Sequence, residues 1–556
     1  MLGQNLTEPK EKPPNGGVLS LEFFHWRFHV NAQSFFGGGK LARRSDWIAD
    51  LALQVPSSSL VRSALEICDR DIKVKYQQSR LRFIMRASAR TRANRDTAIL
   101  EDGPAPLSRQ TLRQRETAAA PTTRLALAVK AFIICAFLPW LWQIGSVWIS
   151  PYRVVLILAA VPCIFMWLSG RAGTIRAADI SICFYCLWCF ISLSVVHGVD
   201  AALQPAGTMT VETAGAYFLG RCFIRTPEQF HAMSRLLFWI IVMIFPLAII
   251  ESVSNTNISL DVFSTLFPTH VVAENIPRWG LRRVQSVFEH PILFGVTCGA
   301  ILALVHLVVC EKASPVQRWG ATGVVLVTAA LSLSSGPITA LVVQILILFW
   351  DRVFKAYPKR WRVLWILLLA MYGMISLVSN QSVPEFLMTH FTFDAASANY
   401  RTLIWHFGSG SALNHPLFGV GFNRWDRPEW MPNSIDMFWL YHAVLFGIPA
   451  GLLMILAFLM MVIPVAFKRG LEPRLVQYRT AYLAVMSGYF LVGWTVHFWN
   501  ATYVLFLFFL GSGSWLLDTG NQHRKTSRDG PGAIPNRRPS GRLSSRPYAT
   551  ESGGLL

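Results

Sequence analysis

The sequence predicts an all-α polytopic membrane protein, and three observations lead to this fold class. Of the 556 residues, 53% are hydrophobic and only 15% are charged, whereas soluble proteins average about 25% charged residues. The apolar residues arrive in runs of roughly 17 to 25, the length of helix that a hydrocarbon core about 30 Å thick requires. Lys and Arg nevertheless exceed Asp and Glu by 51 to 31, a net charge of +20. This composition argues against soluble, disordered and disulfide-scaffold classes.

Residues 1–124 are predicted to form a basic, largely disordered cytoplasmic tail. They hold 20 Lys/Arg and 12 Asp/Glu, a net charge of +8, and no apolar run long enough to span a bilayer. The densest basic stretch, RLRFIMRASARTRANR at 80–95, has a composition that also suits nucleic acid or anionic lipid. Because no recognisable binding module accompanies it, we expect no nucleic-acid partner.

Residues 125–517 are predicted to form the membrane domain, with about twelve transmembrane helices. The seventh and eighth are separated only by Ser334, Ser335, Gly336 and Pro337, so they are either two spans or one re-entrant hairpin. The predicted spans follow the apolar runs: 126–147, 152–169, 177–196, 205–222, 236–252, 291–310, 319–334, 337–353, 362–379, 437–466, 479–497 and 502–517.

Both termini are predicted to be cytoplasmic, because cytoplasmic loops collect Lys and Arg. With the N-terminus inside, every inner loop is basic, including RAGTIRAAD, EKASPVQR and DRVFKAYPKRWR, while most outer loops are short and contain little or no cation. The C-terminal segment, 518–556, is rich in Pro, Ser and Gly with a net charge of +4. It is predicted to be a disordered cytoplasmic tail.

Two outer segments, 253–290 and 380–436, contain arginines on the side where the topology rule disfavours them. The planar guanidinium fork binds phosphate or carboxylate through paired, charge-assisted hydrogen bonds. A lipid-linked diphosphate is the natural anion at a membrane surface. The residues predicted to bind its head group are Arg282, Arg283, Arg401 and Arg424.

The sequence predicts neither a metal nor a cofactor. The outer segments contain no DxD pair, and the first outer turn, SVWISPYR, has no carboxylate. Cys183, Cys186 and Cys189 have the CxxC spacing of a metal site, but they lie within an apolar run without a His or a further Cys pair. We interpret them as small helix-packing residues.

Two short motifs resemble each other where the chain meets the outer face: Glu289-His290-Pro291-Ile-Leu-Phe-Gly and Asn414-His415-Pro416-Leu-Phe-Gly. A His or Glu at such an interface acts as a general base or orients an acceptor hydroxyl. A helix cap is the alternative use of a His before Pro. Glu289 and His290 are therefore candidate catalytic residues, and His415 is a candidate binding residue.

Asp436 lies at the entrance to the tenth predicted span, where a carboxylate can face an aqueous cavity. It is the third candidate catalytic residue, although an N-cap is the ordinary use of Asp at this position. Glu251, His306 and His442 lie inside predicted spans. We interpret these three as contacts between helices.

Taken in order, these motifs resemble the O-antigen ligase and Wzy-type polymerase family over roughly 125–517. The resemblance depends on RVQSVFEHP (283–291), LSLSSGPITA (331–340), and Tyr400-Arg401 followed by HPLFGVGFNRW (415–425). It also depends on SIDMFWL (434–440) followed by GIPAG (447–451). Members of this family are many-span bacterial inner-membrane proteins with a large periplasmic loop late in the sequence.

The resemblance implies transfer of a glycan from an undecaprenyl-diphosphate carrier to an acceptor glycan on the periplasmic face. It implies inversion at the sugar, with neither nucleotide sugar nor metal. The implied partners are this lipid-linked donor, the acceptor glycan, membrane lipid, a chain-length regulator and a flippase. Arg283 and Arg401, assisted by Arg424, are expected to hold the diphosphate, while Glu289, His290 or Asp436 positions or deprotonates the acceptor hydroxyl.

One departure from the family pattern separates two branches. In the ligase branch a His followed by Asn opens the helix after the large loop, whereas this chain has Asp436 followed by Met437. This favours a polymerase of O-antigen, capsule or exopolysaccharide repeats over a ligase to lipid A core. A transporter or flippase is the rival class, but such proteins are often built from two repeated halves, and no repeat is evident here.

Overall fold

A computed structural model describes residues 124–519, apart from 146, 274–275, 358, 380–385 and 387–394. The tail predicted at 1–124 lies outside the described residues except for Arg124. The tail predicted at 518–556 lies outside them except for Asp518 and Thr519. The predicted outer segment 380–436 is described from residue 395 onward, and at residue 386.

The described chain is mostly helical. A cap residue followed by Pro starts several helices: Thr226 accepts from the Gln229 N–H at 3.2 Å before Pro227, and Ser314 accepts from the Gln317 N–H at 3.3 Å before Pro315. In chain order the elements are α1 Leu127–Ala136, β1 Trp142–Ile144, β2 Val147–Ile149, α2 Pro151–Leu168, α3 Ala177–His197, α4 Val199–Thr210, a π-helical turn Val211–Gly215, α5 Ala216–Phe223, α6 Pro227–Ser254, α7 Ile258–Ser264, α8 Pro291–Ala300, α9 Leu302–Leu304, a π-helical turn Val305–Val309, α10 Pro315–Ala330, α11 Ser335–Val353, α12 Arg360–Val378, α13 Ala395–Asn414, α14 Phe438–Phe446, α15 Ile448–Phe467, α16 Pro473–Val492, α17 Asn500–Ser512 and α18 Trp515–Asp518.

Within the described residues, eight helices are long and apolar enough to cross a membrane by length and composition. The polytopic all-α fold class is therefore confirmed, while the count of twelve spans and their orientation stay predictions. The eight are Pro151–Leu168, Ala177–His197, Pro227–Ser254, Pro291–Val309, Ser335–Val353, Arg360–Val378, Ile448–Phe467 and Asn500–Asp518.

The first predicted span, 126–147, is wrong as a single helix. Only α1 is helical, and the chain then forms an antiparallel hairpin in which Trp142 pairs with Ile149. Pro139 cannot continue a helical ladder, and the Leu141 N–H donates to Pro268 O at 2.9 Å. Tertiary pairing therefore decides this segment, since an apolar run alone does not distinguish strand from helix.

The tenth predicted span, 437–466, is broken into α14 and α15. Gly447 separates them with φ +85°, a conformation that glycine adopts without steric cost. The seventh and eighth predicted spans are two separate helices, α10 and α11, joined by the turn 331–334. This turn is important below because it lines the candidate site.

The helix α17 is buried at every residue after Asn500, its first. It packs against α5 at very close range: a Cβ on Gly220 would lie 2.2 Å from Phe508 O, and one on Gly511 would lie 2.1 Å from Tyr217 O. Small residues allow such backbone approach in membrane proteins. The loop 265–290, the turn 331–334 and the start of α13 approach one another at the cavity described below.

The polar groups inside predicted spans make the expected contacts between helices. His442 Nδ1 lies 2.8 Å from Tyr185 Oη, and His306 Nδ1 lies 3.0 Å from Thr322 Oγ1. Glu251 differs, because its two carboxylate oxygens accept the backbone N–H groups of Gln285 and Ser286, each at 3.0 Å. It therefore holds the outer loop that leads to the site.

Candidate active site

A cavity of about 220 Å³ brings together four of the eight predicted site residues: Arg283, His290, Arg401 and Asp436. Cavities that enclose a whole drug-sized ligand measure roughly 300–1,000 Å³, so this one suits a head group better than an oligosaccharide. The lining is completed by Arg278, Ile292, Ser334, Ser335, Ser397 and Tyr400.

Three arginines, Arg278, Arg283 and Arg401, line the cavity, and the first two come from the loop 265–290 and contact the turn between α10 and α11. Arg278 Nη1 donates to Leu333 O at 2.8 Å, and Arg283 Nη2 donates to Ser334 Oγ at 2.7 Å. Burial, together with the charges of Arg278 and Arg401, lowers the pKa of Arg283 to about 10. Arg283 therefore remains charged at neutral pH, and the repulsion among the three guanidinium groups favours binding of an anion between them.

The third arginine, Arg401, comes from α13 and is only 8% exposed. Its Nε donates to Thr495 O at 3.1 Å, which connects α13 to the segment between α16 and α17. Asp436 lies two residues before α14 and is the only carboxylate among the described residues that line this cavity. Burial raises the pKa of Asp436, and the nearby Arg401 charge opposes that rise.

His290 both caps a helix and lines the cavity, so the cap is confirmed while its catalytic role stays a prediction. Its Nδ1 accepts from the Ile292 N–H at 3.2 Å at the start of α8. Burial, assisted by the Arg283 charge, lowers the pKa of His290 to about 4. The imidazole is therefore neutral near pH 7, and the cap assigns its proton to Nε2. This atom is a hydrogen-bond donor rather than a proton acceptor.

Glu289 lies outside the cavity despite its place beside His290. Its Oε1 accepts from Asn500 Nδ2 at 2.9 Å at the beginning of α17. Arg153, whose Nε donates to Glu212 Oε1 at 2.8 Å, also reaches Asn500 Oδ1 at 3.5 Å. Glu212 belongs to the π-helical turn after α4. Glu289 is thus one member of a buried network between helices.

Arg282 also lies outside the cavity, on the opposite side of the chain from Arg283. Its Nη1 donates to Asn255 O at 2.7 Å, and its Nε lies 3.8 Å from Glu251 Oε1. These contacts attach the outer loop to the end of α6. Arg282 therefore holds the loop in place, whereas Arg283 lines the cavity.

His415 and Arg424 complete the predicted residues, and neither lines the cavity. His415 Nε2 lies 3.6 Å from Asp426 Oδ2, and both side chains are nearly half exposed. Arg424 is exposed on the same loop. The segment that contains them packs instead against the break between α14 and α15.

The HPLFGVGF and GIPAG motifs contact each other directly. Gly421 N–H donates to Leu445 O at 2.8 Å, and Ile448 N–H donates to Pro416 O at 2.8 Å. Gly419 has φ +62°, and a Cβ on it would lie 2.5 Å from Leu445 O. The loop thus packs against the break between α14 and α15, just beyond the helix that Asp436 precedes.

Sequence reasoning missed Arg278 and Tyr400 as site residues. Arg278 belongs to the arginine-containing segment 253–290, but nothing in its sequence neighbourhood distinguishes it as a cavity residue. Tyr400 Oη lies 3.1 Å from Ser434 Oγ and joins α13 to the segment before Asp436. Its position next to Arg401 in a family motif was the available signal.

No three side chains of His, Cys, Asp or Glu gather as a metal site in the described part of the chain. Cys183 is exposed there, while Cys186 and Cys189 are buried, and all three are free thiols. The absence of metal and cofactor from the reaction stays a prediction.

A comparison with protein families supports the resemblance found in the sequence. The family model described as O-Antigen ligase matches residues 320–455, about a quarter of the chain. The matched region includes Ser334, Ser335, Arg401 and Asp436 of the cavity, while Arg278, Arg283 and His290 precede it. No curated protein matches the chain. Residues 320–455 are therefore similar to the O-antigen ligase family, which supports a polysaccharide-related ligase or polymerase, and the apolar helices point to a multi-pass membrane protein.

Proposed function

We propose that this protein is a bacterial inner-membrane glycan polymerase that works on the periplasmic face. It transfers undecaprenyl-diphosphate-linked oligosaccharide repeats to an acceptor glycan during O-antigen, capsule or exopolysaccharide synthesis. The observation that supports this proposal is the cavity, in which three arginines from two outer segments meet one carboxylate.

In the proposed reaction, Arg278, Arg283 and Arg401 bind the diphosphate of the donor. Their charges stabilise the negative charge that grows on the leaving group as the bond from the sugar C1 to the phosphate oxygen breaks. Asp436 accepts the proton of the acceptor hydroxyl as that oxygen attacks C1 from the opposite face, which inverts the configuration. The proton then passes to water or to the released diphosphate.

His290 has a binding role in this proposal. Its Nε2–H donates a hydrogen bond into the cavity, where a phosphate or sugar oxygen accepts it. Glu289, Arg282 and His415 hold the loops around the cavity, while Arg424 is exposed outside it. Of the residues predicted from the sequence, Asp436 thus keeps the catalytic role, and Arg283 and Arg401 keep the diphosphate-binding role.

The choice of polymerase over ligase depends on Asp436 and Met437, which stand where the ligase branch has His and Asn. The family match is equally compatible with a ligase to lipid A core. Surface glycan from a deletion strain distinguishes the two. Loss of long chains with retention of a single capped repeat indicates a polymerase, whereas unattached polymer indicates a ligase.

The test of the site compares Arg401→Ala with Arg424→Ala in the complemented deletion strain. We expect Arg401→Ala to abolish long chains with normal membrane insertion, and Arg424→Ala to retain them because this exposed side chain lies outside the cavity. Wild-type chain lengths in Arg401→Ala would refute the proposal. Accumulation of repeats on the cytoplasmic side would indicate the rival transporter or flippase.

A further inference from the structure

We propose that the polyprenyl tail of the donor lies along one exposed face of α11 (Ser335–Val353), directly below the cavity. The proposal rests on the function proposed above, since it concerns the lipid part of the same donor. It assigns a binding role to three side chains that neither the sequence motifs nor the cavity includes: Val342, Leu346 and Phe349.

These side chains continue the face of α11 that opens onto the cavity. Ser335, the first residue of the helix, lines the cavity. At 3.6 residues per turn, Val342, Leu346 and Phe349 point within about 40° of Ser335. They are 46%, 58% and 60% exposed. An apolar track, here called the α11 track, therefore begins at the cavity and descends along the helix.

The next helix leaves the α11 track uncovered. Arg360, at the start of α12, is fixed to the end of α11 by its Nη2, 2.8 Å from Asp351 Oδ1, and by its carbonyl, which accepts from Trp350 Nε1 at 3.1 Å. No residue of α12 is buried, and residues 365–372 are all exposed. The two helices are thus joined at one end, without tight packing along the described length of α12.

The size of the cavity and the length of α11 favour a lipid tail as the occupant. About 220 Å³ suits a head group, so the rest of a lipid-linked donor has to leave the cavity along an adjacent surface. Residues 335–350 contain no charged side chain. Nineteen helical residues extend over about 28 Å, close to the thickness of a hydrocarbon core.

A second apolar groove, about 510 Å³, provides an internal comparison. It lies between α3 and α4 and is lined by Leu187, Phe190 and Leu203 among others. It shares no lining residue with the cavity. A tail bound in this groove would therefore indicate a different path for the donor.

The kinetic test uses matched triple variants of the full chain. The α11 track is trimmed by Val342→Ala, Leu346→Ala and Phe349→Ala. The control trims the same three residue types on α2, by Leu158→Ala, Val161→Ala and Phe165→Ala, which are 72%, 74% and 60% exposed. Each protein is assayed with the same sugar diphosphate on an undecaprenyl chain and on a geranyl chain.

We expect the track variant to raise KM for the undecaprenyl donor roughly 3- to 10-fold with unchanged kcat, because packing between apolar groups in lipid is modest and equal in ground and transition states. KM for the geranyl donor should stay unchanged, since its short chain ends near Ser335. The control should match the wild type with both donors. Equal KM values in track variant and wild type would overturn the proposal.

Photocrosslinking tests the same contact without turnover. A benzophenone-bearing residue is placed at position 346 or at position 187, and each protein is irradiated with undecaprenyl-linked donor. Crosslinking at 346 that unlabelled donor competes away supports the α11 track, whereas crosslinking at 187 alone overturns it. A wild type that transfers no sugar from either donor would refute the proposed function, while the crosslink still decides where the tail binds.

Discussion

Arg283 and Ser334 are joined by a hydrogen bond of 2.7 Å from Nη2 to Oγ. It fixes a guanidinium from the outer loop against the turn between α10 and α11. Ser334 in turn donates to Ser332 O at 2.9 Å. Ser334, 51 residues later in the chain, therefore helps to orient Arg283 in the cavity, together with Ser332 O, which accepts from Arg283 Nε at 3.5 Å.

Ser334→Ala should weaken donor binding without unfolding the protein. A hydrogen bond to a charged group contributes about 1.5–3 kcal/mol, so we expect KM for the donor to rise about tenfold or more. Ser264→Ala is the control, because Ser264 is exposed and donates only to the nearby Asp261 O. Steady-state kinetics in detergent or vesicles measure both. An unchanged KM in Ser334→Ala would mean that other contacts orient Arg283.

Asp436→Asn should lower kcat by roughly 10²–10⁴, the usual contribution of a general base. Asp426→Asn is the matched control, because Asp426 lies outside the cavity and pairs with His415. The wild type should lose activity as pH falls through the pKa of Asp436, because only the carboxylate accepts a proton. Burial raises this pKa, so the acid limb should lie above the ordinary aspartate value of about 3.9. A pH–rate profile with the same limb in Asp436→Asn would contradict this assignment.

A comparison of His290→Asn with His290→Ala should distinguish the contribution of the helix cap to stability from the contribution of the Nε2 donor to sugar transfer. Asn is a good N-cap and should retain stability, whereas Ala should lower the free energy of unfolding by about 1 kcal/mol. Both should slow transfer, since both remove the Nε2 donor. Thermal inactivation and initial rates measure the two effects. The pKa of His290 is lowered to about 4, so the imidazole should be neutral throughout the working range of pH. A change of wild-type activity near pH 6.5 that is missing in His290→Asn would contradict this protonation state.

Gly447→Ala should destabilise the protein, while Gly410→Ala should not. Gly447 has φ +85°, and a Cβ on it would lie 1.9 Å from Leu417 O. Gly410 lies within α13 with no atom near its Cβ position, so Ala there should be neutral or stabilising by up to about 1 kcal/mol. Melting temperatures in one detergent measure both. Equal melting temperatures would show that the break between α14 and α15 tolerates a side chain.

Much of the site could be predicted because topology and residue chemistry are both encoded locally. Arg283 and Arg401 stood out as cations on the outer side of predicted helices, and Asp436 stood out as a carboxylate at a helix entrance. Each of these properties depends on neighbours within about twenty residues. The structure then placed all three around one cavity.

The remaining assignments depended on side-chain direction, which the sequence does not encode in irregular segments. Arg282 and Arg283 are adjacent, yet one contacts the end of α6 and the other lines the cavity. Glu289 and His290 diverge in the same way. In a helix, periodicity would have predicted which neighbour faces inward, but residues 265–290 follow no period.

Tertiary pairing explains the errors in the fold. Residues 140–149 are apolar enough for a helix, but the Trp140 backbone bridges to Thr269, more than a hundred residues later. The break at Gly447 was marked by Gly-Ile-Pro, a combination that ends and restarts helices. The long apolar run concealed this local signal.

The paired backbone contacts between residues 416–421 and 444–448 also restrict how this protein can be engineered. Consider a chimera in which the loop around residues 416–421 comes from a relative while α14 and α15 are kept. In such a chimera the loop would no longer match the helix break that it has to contact. The two stretches form one recombination unit, and exchanges of acceptor specificity should transplant residues 395–451 as a single block.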